Sequence, residues 1–151
     1  MILLVDDERA MVVTLSTALA DAGYDVATAS NGAEAYALLK SPACRCMLLD
    51  VNMPEVDGMD VLNMVKKIDP KVPVVIFTGY GSIESAVEAI KLGAYDYIEK
   101  PLHMKQLRLV TQRALDRYSL ARQLGTFRGL TLALLISIPA WLVLGIALMW
   151  L

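Results

Sequence analysis

The stretch Ile2-Leu3-Leu4-Val5-Asp6-Asp7 decides the fold, because an apolar run of strand length ends directly in two acidic residues. The arrangement recurs further along the chain: Asp50 follows Met47-Leu48-Leu49, and Lys100 follows Asp96-Tyr97-Ile98-Glu99. In an open parallel α/β sheet the carboxyl ends of the strands share one edge, and ligands bind in the crevice there. The charged residues of separate runs are therefore predicted to meet in one site.

Around this stretch, apolar runs alternate with segments of helical periodicity as far as about residue 120, which is the pattern of repeated βαβ units. Strands are predicted near 2–6, 25–29, 46–50, 73–78 and 95–98. Helices are predicted between the first two strands, where Gly23 is placed to end the helix, and near 32–40, 58–68, 82–92 and 103–124. The pattern indicates an α/β fold with a parallel sheet.

The predicted site favours a divalent cation and phosphoryl chemistry. Acidic side chains this close together would raise one another's pKa values unless a positive charge lay among them. Mg²⁺ takes oxygen ligands and is usually held by one or two carboxylates plus a phosphate. One aspartate can then attack a phosphoryl group as a nucleophile, while the metal and Lys100 neutralise charge on the phosphoryl oxygens. Thr78, which ends the fourth apolar run, can offer its hydroxyl to the same oxygens.

Five short motifs follow one another in the chain: Val5-Asp6-Asp7-Glu8, Leu49-Asp50-Val51-Asn52-Met53-Pro54, Asp57-Gly58, Phe77-Thr78-Gly79 and Tyr97-Ile98-Glu99-Lys100-Pro101. Together they resemble the receiver domain of bacterial two-component response regulators over residues 1–120. The run from Ala86 to Pro101 is most similar to receivers of the nitrogen-regulation enhancer-binding type. The resemblance implies a flavodoxin-like (βα)5 fold, a doubly wound parallel sheet with strand order 2-1-3-4-5.

The resemblance also implies a role for each matching residue. Asp50 would be the phosphoacceptor, and it would hold Mg²⁺ together with Asp7, the carbonyl group of Asn52 and, largely through metal-bound water, Asp6. Thr78 and Lys100 would contact the phosphoryl group, Tyr97 would change rotamer with Thr78, and the Lys100-Pro101 peptide bond would be cis. The partner would be a sensor histidine kinase or a phosphotransfer protein, and the domain would be a signalling switch, not an enzyme.

Each of these residues also has a purely structural interpretation. Asp6 and Asp7 could be a solvated strand end with a helix cap, Thr78 could begin a turn, and Tyr97 could be ordinary half-buried packing. Cys44 and Cys46 are interpreted as reduced thiols, with Cys46 packed in a strand, because a metal pair would lack its other ligands. His103 is expected to be solvated or to cap the last helix.

The end of the chain differs in kind, because the 23 residues from Gly129 to Leu151 carry no charge. As a helix rising about 1.5 Å per residue they would span roughly 34 Å, enough for a hydrocarbon core of about 30 Å. The prediction is a receiver domain at 1–120, a basic helix end and linker at 121–128 and a transmembrane helix at 129–151. The alternative is an extra buried helix of a soluble domain.

The charges before this segment set its predicted orientation. Residues 1–103 hold 8 Lys and Arg against 15 Asp and Glu, whereas residues 104–128 hold 6 against 1. Positive residues stay on the cytoplasmic side, so the receiver should face the cytoplasm from the inner membrane. Two sets of residues at helical spacing predict a homodimer through helix 103–124 and the tail: the apolar stripe Leu107, Val110, Ala114, Tyr118, Ala121 and Leu124, and the small residues Gly125, Gly129, Ala133 and Ser137. The stripe's first members could instead pack on the sheet.

The leading functional hypothesis is a membrane-anchored receiver, phosphorylated on Asp50 with Mg²⁺ as cofactor. A DNA-binding transcriptional regulator without its output domain is one alternative, although nucleic acid is not an expected partner because no helix-turn-helix pattern follows residue 128. The N-terminal part of a longer multispan signalling protein is another. A metal-dependent phosphatase acting on outside substrates would need a substrate-binding cap, for which the sequence offers no segment.

Overall fold

The structure is a computed structural model that describes residues 1–41, 43–54, 56–79 and 81–149, with the side chains of 126–132 and 134–149 outside the description. Strands and helices alternate as β1 Ile2–Val5, α1 Arg9–Asp21, β2 Val26–Ala29, α2 Gly32–Leu39, β3 Cys46–Leu49, α3 Gly58–Ile68, β4 Val74–Thr78, α4 Ile83–Lys91, β5 Asp96–Glu99 and α5 Met104–Met149. The predicted strands and helices are all present, and their predicted boundaries are displaced by at most one residue, except at the end of α5.

The five strands form one parallel sheet in the order β2-β1-β3-β4-β5. This order confirms the flavodoxin-like topology. In the register, Val5 pairs with Leu49, Leu49 with Ile76, and Ile76 with Tyr97. The residues that follow these positions along each strand therefore lie side by side at the carboxyl edge of the sheet.

Both faces of the sheet are covered, as the nearly continuous apolar strands require. Leu3 and Val5 belong to a buried cluster with residues of α2, α3 and α4. Ile2 and Leu4, which point to the opposite face, belong to a second cluster with residues of α1 and α5. All four side chains are almost completely buried. Two apolar layers thus cover the faces of the sheet, so polar functional residues are found at the ends of the strands.

Gly23 ends α1 as the sequence predicts. Its φ of 88° is a left-handed conformation that a residue with a side chain rarely adopts. The N–H of Gly23 donates to the carbonyl of Ala20 at 2.9 Å, and the N–H of Tyr24 donates to that of Leu19 at 3.1 Å. These bonds satisfy carbonyl groups that the end of the helix would otherwise leave unpaired.

The first part of α5 packs on the domain instead of forming an exposed seam. Leu107, Val110 and Ala114 are buried in the same cluster as α1, and Tyr118 is buried in the other cluster. Leu124, at the far end of the predicted stripe, is 65% exposed. Of the two interpretations of this stripe, the structure thus supports packing of its first members on the sheet. Four members of the stripe are thus packed within the domain, and the homodimer through helix 103–124 and the tail stays a prediction.

Residues Met1–Tyr118 form one compact unit, and Ser119–Leu151 form a second. Helix α5 includes residues 121–128, where the sequence predicts a helix end and a linker. Gly125 within it costs only about 1 kcal/mol relative to alanine, too little to stop a helix by itself. Within the described residues, no helix is both long enough and apolar enough to cross a membrane. Apart from the backbone of α5 and the exposed Ala133, the predicted span 129–151 lies outside the described residues.

Candidate functional site

The carboxyl edge of the sheet brings together the residues that the sequence singles out. Asp6 follows β1 and its N–H donates to the carbonyl of Ala29, while the N–H of Asp50, after β3, donates to that of Val5. Thr78 is the last residue of β4, and the N–H of Lys100 donates to its carbonyl at 2.8 Å. Main-chain hydrogen bonds that involve all five strands therefore hold the predicted site.

Lys100 joins the two buried carboxylates of the site. Its Nζ lies 3.1 Å from Oδ2 of Asp6 and 2.9 Å from Oδ2 of Asp50, and all three side chains are largely shielded from solvent. The same ammonium group lies 5.0 Å from the centre of the Phe77 ring. The Lys100-Pro101 peptide bond that follows is cis, which confirms the expectation for this position. Two ion pairs therefore hold the side chain of Lys100 between the carboxylates, and a hydrogen bond to Thr78 holds its main chain.

Burial and pairing set the protonation of the site. Burial raises the pKa of Asp6 above its ordinary value, although the hydrogen bond from the N–H of Glu8 and the charge of Lys100 act against this. Burial alone would lower the pKa of Lys100, but its hydrogen bonds to Asp50 and Asp6 and the attraction of their charges raise it. Lys100 is therefore positively charged at neutral pH, and an additional cation beside Asp6 would favour the ionised form of that carboxyl group.

The acidic residues also fit a hard divalent cation. Carboxylate oxygens of Asp6, Asp7 and Asp50 all lie within 4.8 Å of one another. Asp6 and Asp50 are buried, whereas Asp7 is exposed and open to solvent. Oxygen donors with one solvent-facing side suit Mg²⁺, which keeps several of its waters. Bound there, Mg²⁺ would neutralise negative charge on the carboxylates and on a neighbouring phosphoryl group.

Asn52 lies beside Asp50 and makes a contact that the sequence does not indicate. Its N–H donates to Oδ1 of Asp50 at 3.1 Å. Its side-chain amide donates a short hydrogen bond to the hydroxyl of Thr78, which is completely buried. For Asn52 the family resemblance implies only that its main-chain carbonyl is a metal ligand. A side-chain bond between residues this far apart in the chain depends on rotamers, for which local patterns carry no signal.

Tyr97 is half-buried against the core, and its hydroxyl makes a specific contact. The Tyr97 Oη lies 3.1 Å from Oγ of Ser85 in α4. Ser85 also belongs to the capping box of α4, where its N–H donates to the hydroxyl of Ser82. The backbone of Gly81 passes so close that a Cβ there would lie 3.1 Å from the same Oη. The hydroxyl thus ties β5 to the first turn of α4, and Ser85 is a participant that the sequence does not reveal.

The other residues considered from the sequence lie outside this site. Cys44 and Cys46 are free and buried, and burial raises the pKa of their thiols to about 11 and about 12, so both are protonated at neutral pH. The free thiols agree with the expectation of reduced cysteines, and Cys46 is packed in β3 as expected. His103 is exposed, as expected for a solvated or capping residue.

Comparisons with known proteins identify the class of protein. The family model of the response regulator receiver domain matches residues 2–112. The chain therefore belongs to the family of response regulator receiver domains. Members of this family are signalling modules that interact with histidine kinases or phosphotransfer proteins, bind Mg²⁺ at an acidic pocket and can dimerise. The resemblance drawn from the five motifs is confirmed.

Among curated proteins, the chain is 38% identical over 123 residues to regulatory protein AtoC of Escherichia coli, an alignment of 82% of this chain and 27% of that protein. It is 39% identical over 132 residues to nitrogen assimilation regulatory protein NtrX of Azorhizobium caulinodans, covering 86% of this chain and 29% of that protein. The predicted likeness to nitrogen-regulation receivers agrees with this second match. The chain spans less than a third of the length of either relative.

Solved structures give the same result. The receiver domain of NtrX from Brucella abortus is 41% identical with a TM-score of 0.72, and the match covers 77% of this chain and 98% of that one. The beryllofluoride-activated NtrC4 receiver domain dimer is 37% identical with a TM-score of 0.74, covering 78% of this chain and 97% of that one.

Proposed function

We propose that this chain is a phosphorylation switch in which Asp50 is the phosphoacceptor. The observation that carries the proposal is the placement of Asp50: buried, paired with Lys100 at 2.9 Å, and within 4.8 Å of the carboxylates of Asp6 and Asp7. A carboxylate oxygen of Asp50 attacks the phosphorus atom of the donor, the bond from phosphorus to the leaving group breaks, and an acyl phosphate forms. Lys100 then faces the new phosphoryl oxygens. Asp6, Asp7, Asp50 and the carbonyl of Asn52 would hold Mg²⁺.

The test is labelling of the full chain with acetyl phosphate. Wild-type protein should gain one phosphoryl group in the presence of Mg²⁺ and none in EDTA, as read by intact mass. Asp50→Asn should gain none. Asp60→Asn is the matched control, because Asp60 is an exposed acidic residue in the nearby helix α3 and should not affect labelling. Labelling that survives in Asp50→Asn would refute the assignment.

The contacts of Thr78 and Tyr97 support a route by which phosphorylation changes the surface. Phosphorylation adds about two negative charges and three strong acceptor oxygens. Thr78 would leave the amide of Asn52 to donate to a phosphoryl oxygen, and Tyr97, tied to α4 through Ser85, would change rotamer as β4 shifts. Helix α4 presents Ile83, Val87 and Ile90 to solvent, with Ile83 82% exposed, so a change at its first turn would alter an apolar surface.

Beryllofluoride, which imitates the phosphoryl group, tests this route. Its addition with Mg²⁺ to the full chain should shift the ring resonances of Tyr97 and the amide resonances of Ser82 and Ser85. Asp50→Asn under the same conditions should show no change. Shifts confined to the neighbours of Asp50, with Tyr97 and Ser85 unaffected, would refute transmission through this pair.

We also propose that residues 129–151 anchor the switch in the inner membrane with the receiver facing the cytoplasm. The support is in the sequence: 23 residues without charge follow a segment of 6 basic residues and 1 acidic residue. Anchoring would confine partner choice to the membrane surface and favour dimers through the tail. The test is to express the chain with and without residues 125–151 and to separate the membranes from the soluble fraction. The full chain should be found in the membranes, and the shortened chain should be soluble. Full-length protein in the soluble fraction would refute the anchor.

A receiver that belongs to a longer regulator is the second candidate, and it is favoured by a specific observation. The chain corresponds to only 27% of AtoC and 29% of NtrX, both described as regulatory proteins. In that case the receiver would control output segments carried elsewhere in the same polypeptide, including a DNA-binding domain or further membrane spans. The intact mass of the product in its native cells distinguishes the two candidates. A native mass equal to that of the 151 residues would refute this one.

A further inference from the structure

A cavity of about 340 Å³ lies at the opposite edge of the sheet from Asp50. Its charged lining residues are all basic, which is unusual in a domain with an excess of acidic residues. It opens at the amino ends of β4 and β5, beside Pro73 and Tyr95, between α3, the end of α4 and α5. Its lining includes Lys66, Lys71 and Arg117. None of the described residues that line it is acidic, although residues 1–103 carry 15 acidic and 8 basic residues.

Both the ammonium group and the aliphatic stem of Lys66 make contacts in this cavity. Its Nζ donates to the carbonyl of Val72 at 2.7 Å. Its aliphatic stem runs along the backbone of Gly93, where a Cβ would lie 3.5 Å from Cε of Lys66. Gly93 has a φ of 99°, which gives the turn after α4 its shape. The ammonium group is therefore held in place, unlike that of a lysine that moves freely in solvent.

Arg117 is the second cation of the cavity that contacts a neighbour, because its guanidinium lies 5.4 Å from the centre of the Tyr95 ring. Among the described residues, neither Lys66 nor Arg117 forms a salt bridge within 4.0 Å. Burial lowers the pKa of Lys66, and the charge of Arg117 adds to this lowering, while Asp69 opposes it. Three basic side chains thus line the cavity, whereas Asp69, the acidic residue that acts on Lys66, does not line it.

We propose that this cavity binds a small soluble anion that carries phosphate groups, held by Lys66, Lys71 and Arg117. Three cations around one cavity match a multiply charged anion better than a single carboxylate. Arginine presents a planar fork that suits phosphate, and lysine acts on it as a point charge. The volume lies at the lower end of the range for small-molecule pockets, about 300–1,000 Å³, which suits a ligand the size of a nucleotide or smaller.

Pyrophosphate is the probe for this site. The full chain, labelled with ¹⁵N and kept in a non-ionic detergent with EDTA at constant ionic strength, is titrated and followed by NMR. The expected result is a saturable shift of the amides of Lys66, Gly93 and Tyr95, with no shift at the carboxyl edge of the sheet. Linear, non-saturating shifts, or shifts centred on Asp6 and Asp50, would overturn the proposal.

Variants separate a built site from general attraction to positive charge. Lys66→Met keeps the stem that packs on Gly93 and removes the charge, and it should weaken binding at least tenfold. Lys67→Met is the matched control, because Lys67 is an exposed neighbour that does not line the cavity, and it should leave binding unchanged. Arg117→Gln, at an exposed position, should weaken binding similarly and serves if Lys66→Met does not fold. Equal effects of Lys66→Met and Lys67→Met would overturn the assignment.

Discussion

Replacing Lys100 by methionine should destabilise the protein by about 3 kcal/mol at neutral pH without Mg²⁺. A unit-charge pair about 3 Å apart attracts by roughly 5 kcal/mol at an effective dielectric constant of 20, and desolvation offsets much of this gain. Removing one partner of a buried pair typically costs about 3–5 kcal/mol, because the other charge stays buried alone. The Lys100 side chain is 14% exposed, and those of Asp6 and Asp50 are 0% and 6% exposed. Because the Lys100 side chain keeps some contact with solvent, we expect a loss near the lower end of the range of about 3–5 kcal/mol.

The loss should depend on pH with a definite sign. Burial already raises the folded pKa of Asp6 above 3.8, and the charge of Lys100 acts against this rise. Without Lys100 the pKa of Asp6 rises further, so folding favours its protonated form more strongly. A group with a raised acidic pKa destabilises the folded state above that pKa, and this cost disappears as the pH falls through it. The difference in stability between wild type and Lys100→Met should therefore shrink as the pH is lowered from neutral.

Urea unfolding of the full chain in a non-ionic detergent and EDTA measures these free energies. Lys91→Met, at an exposed lysine at the end of α4, should change stability by less than about 0.5 kcal/mol. In an Asp6→Asn background, where one of the buried charges is absent, Lys100→Met should cost at least about 1 kcal/mol less. A loss in wild type below about 1 kcal/mol, or the same loss in both backgrounds, would refute the reasoning.

Three further outcomes follow from particular contacts. Gly58→Ala should cost about 3 kcal/mol in urea unfolding, because its Cβ would lie 2.4 Å from Cα of Val51, a backbone atom that cannot turn aside; an unchanged midpoint would contradict this. Asn31→Ala should cost about 1 kcal/mol by the same assay, because the Asn31 side chain accepts the N–H of Glu34 at 2.9 Å and caps α2. Mg²⁺ at a hundred times its dissociation constant should raise the free energy of unfolding of wild type by about 2.7 kcal/mol, and EDTA should reverse this gain. The gain should be smaller in Asp6→Asn, and equal gains in both proteins would exclude Asp6 from the metal site.

The fold was predictable because its signals are local. The central strands β1, β3 and β4 are apolar runs that are buried on both faces, and turn residues such as Gly23 mark where helices end. The two interpretations of the apolar stripe of α5, packing on the sheet and a dimer interface, also arise from a local signal. The spacing of its apolar residues shows that one face is buried, but periodicity cannot say whether the sheet of the same molecule or a second copy covers that face. The burial of Leu107, Val110 and Ala114 against α1 and the sheet decides this for the first turns.

The candidate site was predictable where the backbone positions a residue and unpredictable where a rotamer does. Asp6, Asp50 and Lys100 each follow a strand, so the sheet register alone brings them together. The Asn52–Thr78 bond joins a side chain of the loop after β3 to the last residue of β4, and no spacing in the sequence encodes it. Because the Thr78 hydroxyl accepts from the amide of Asn52, its own proton stays available for a phosphoryl oxygen in the proposed switch. Any movement of Thr78 toward that oxygen would stretch or break the bond from Asn52, so this bond would oppose the proposed change of state.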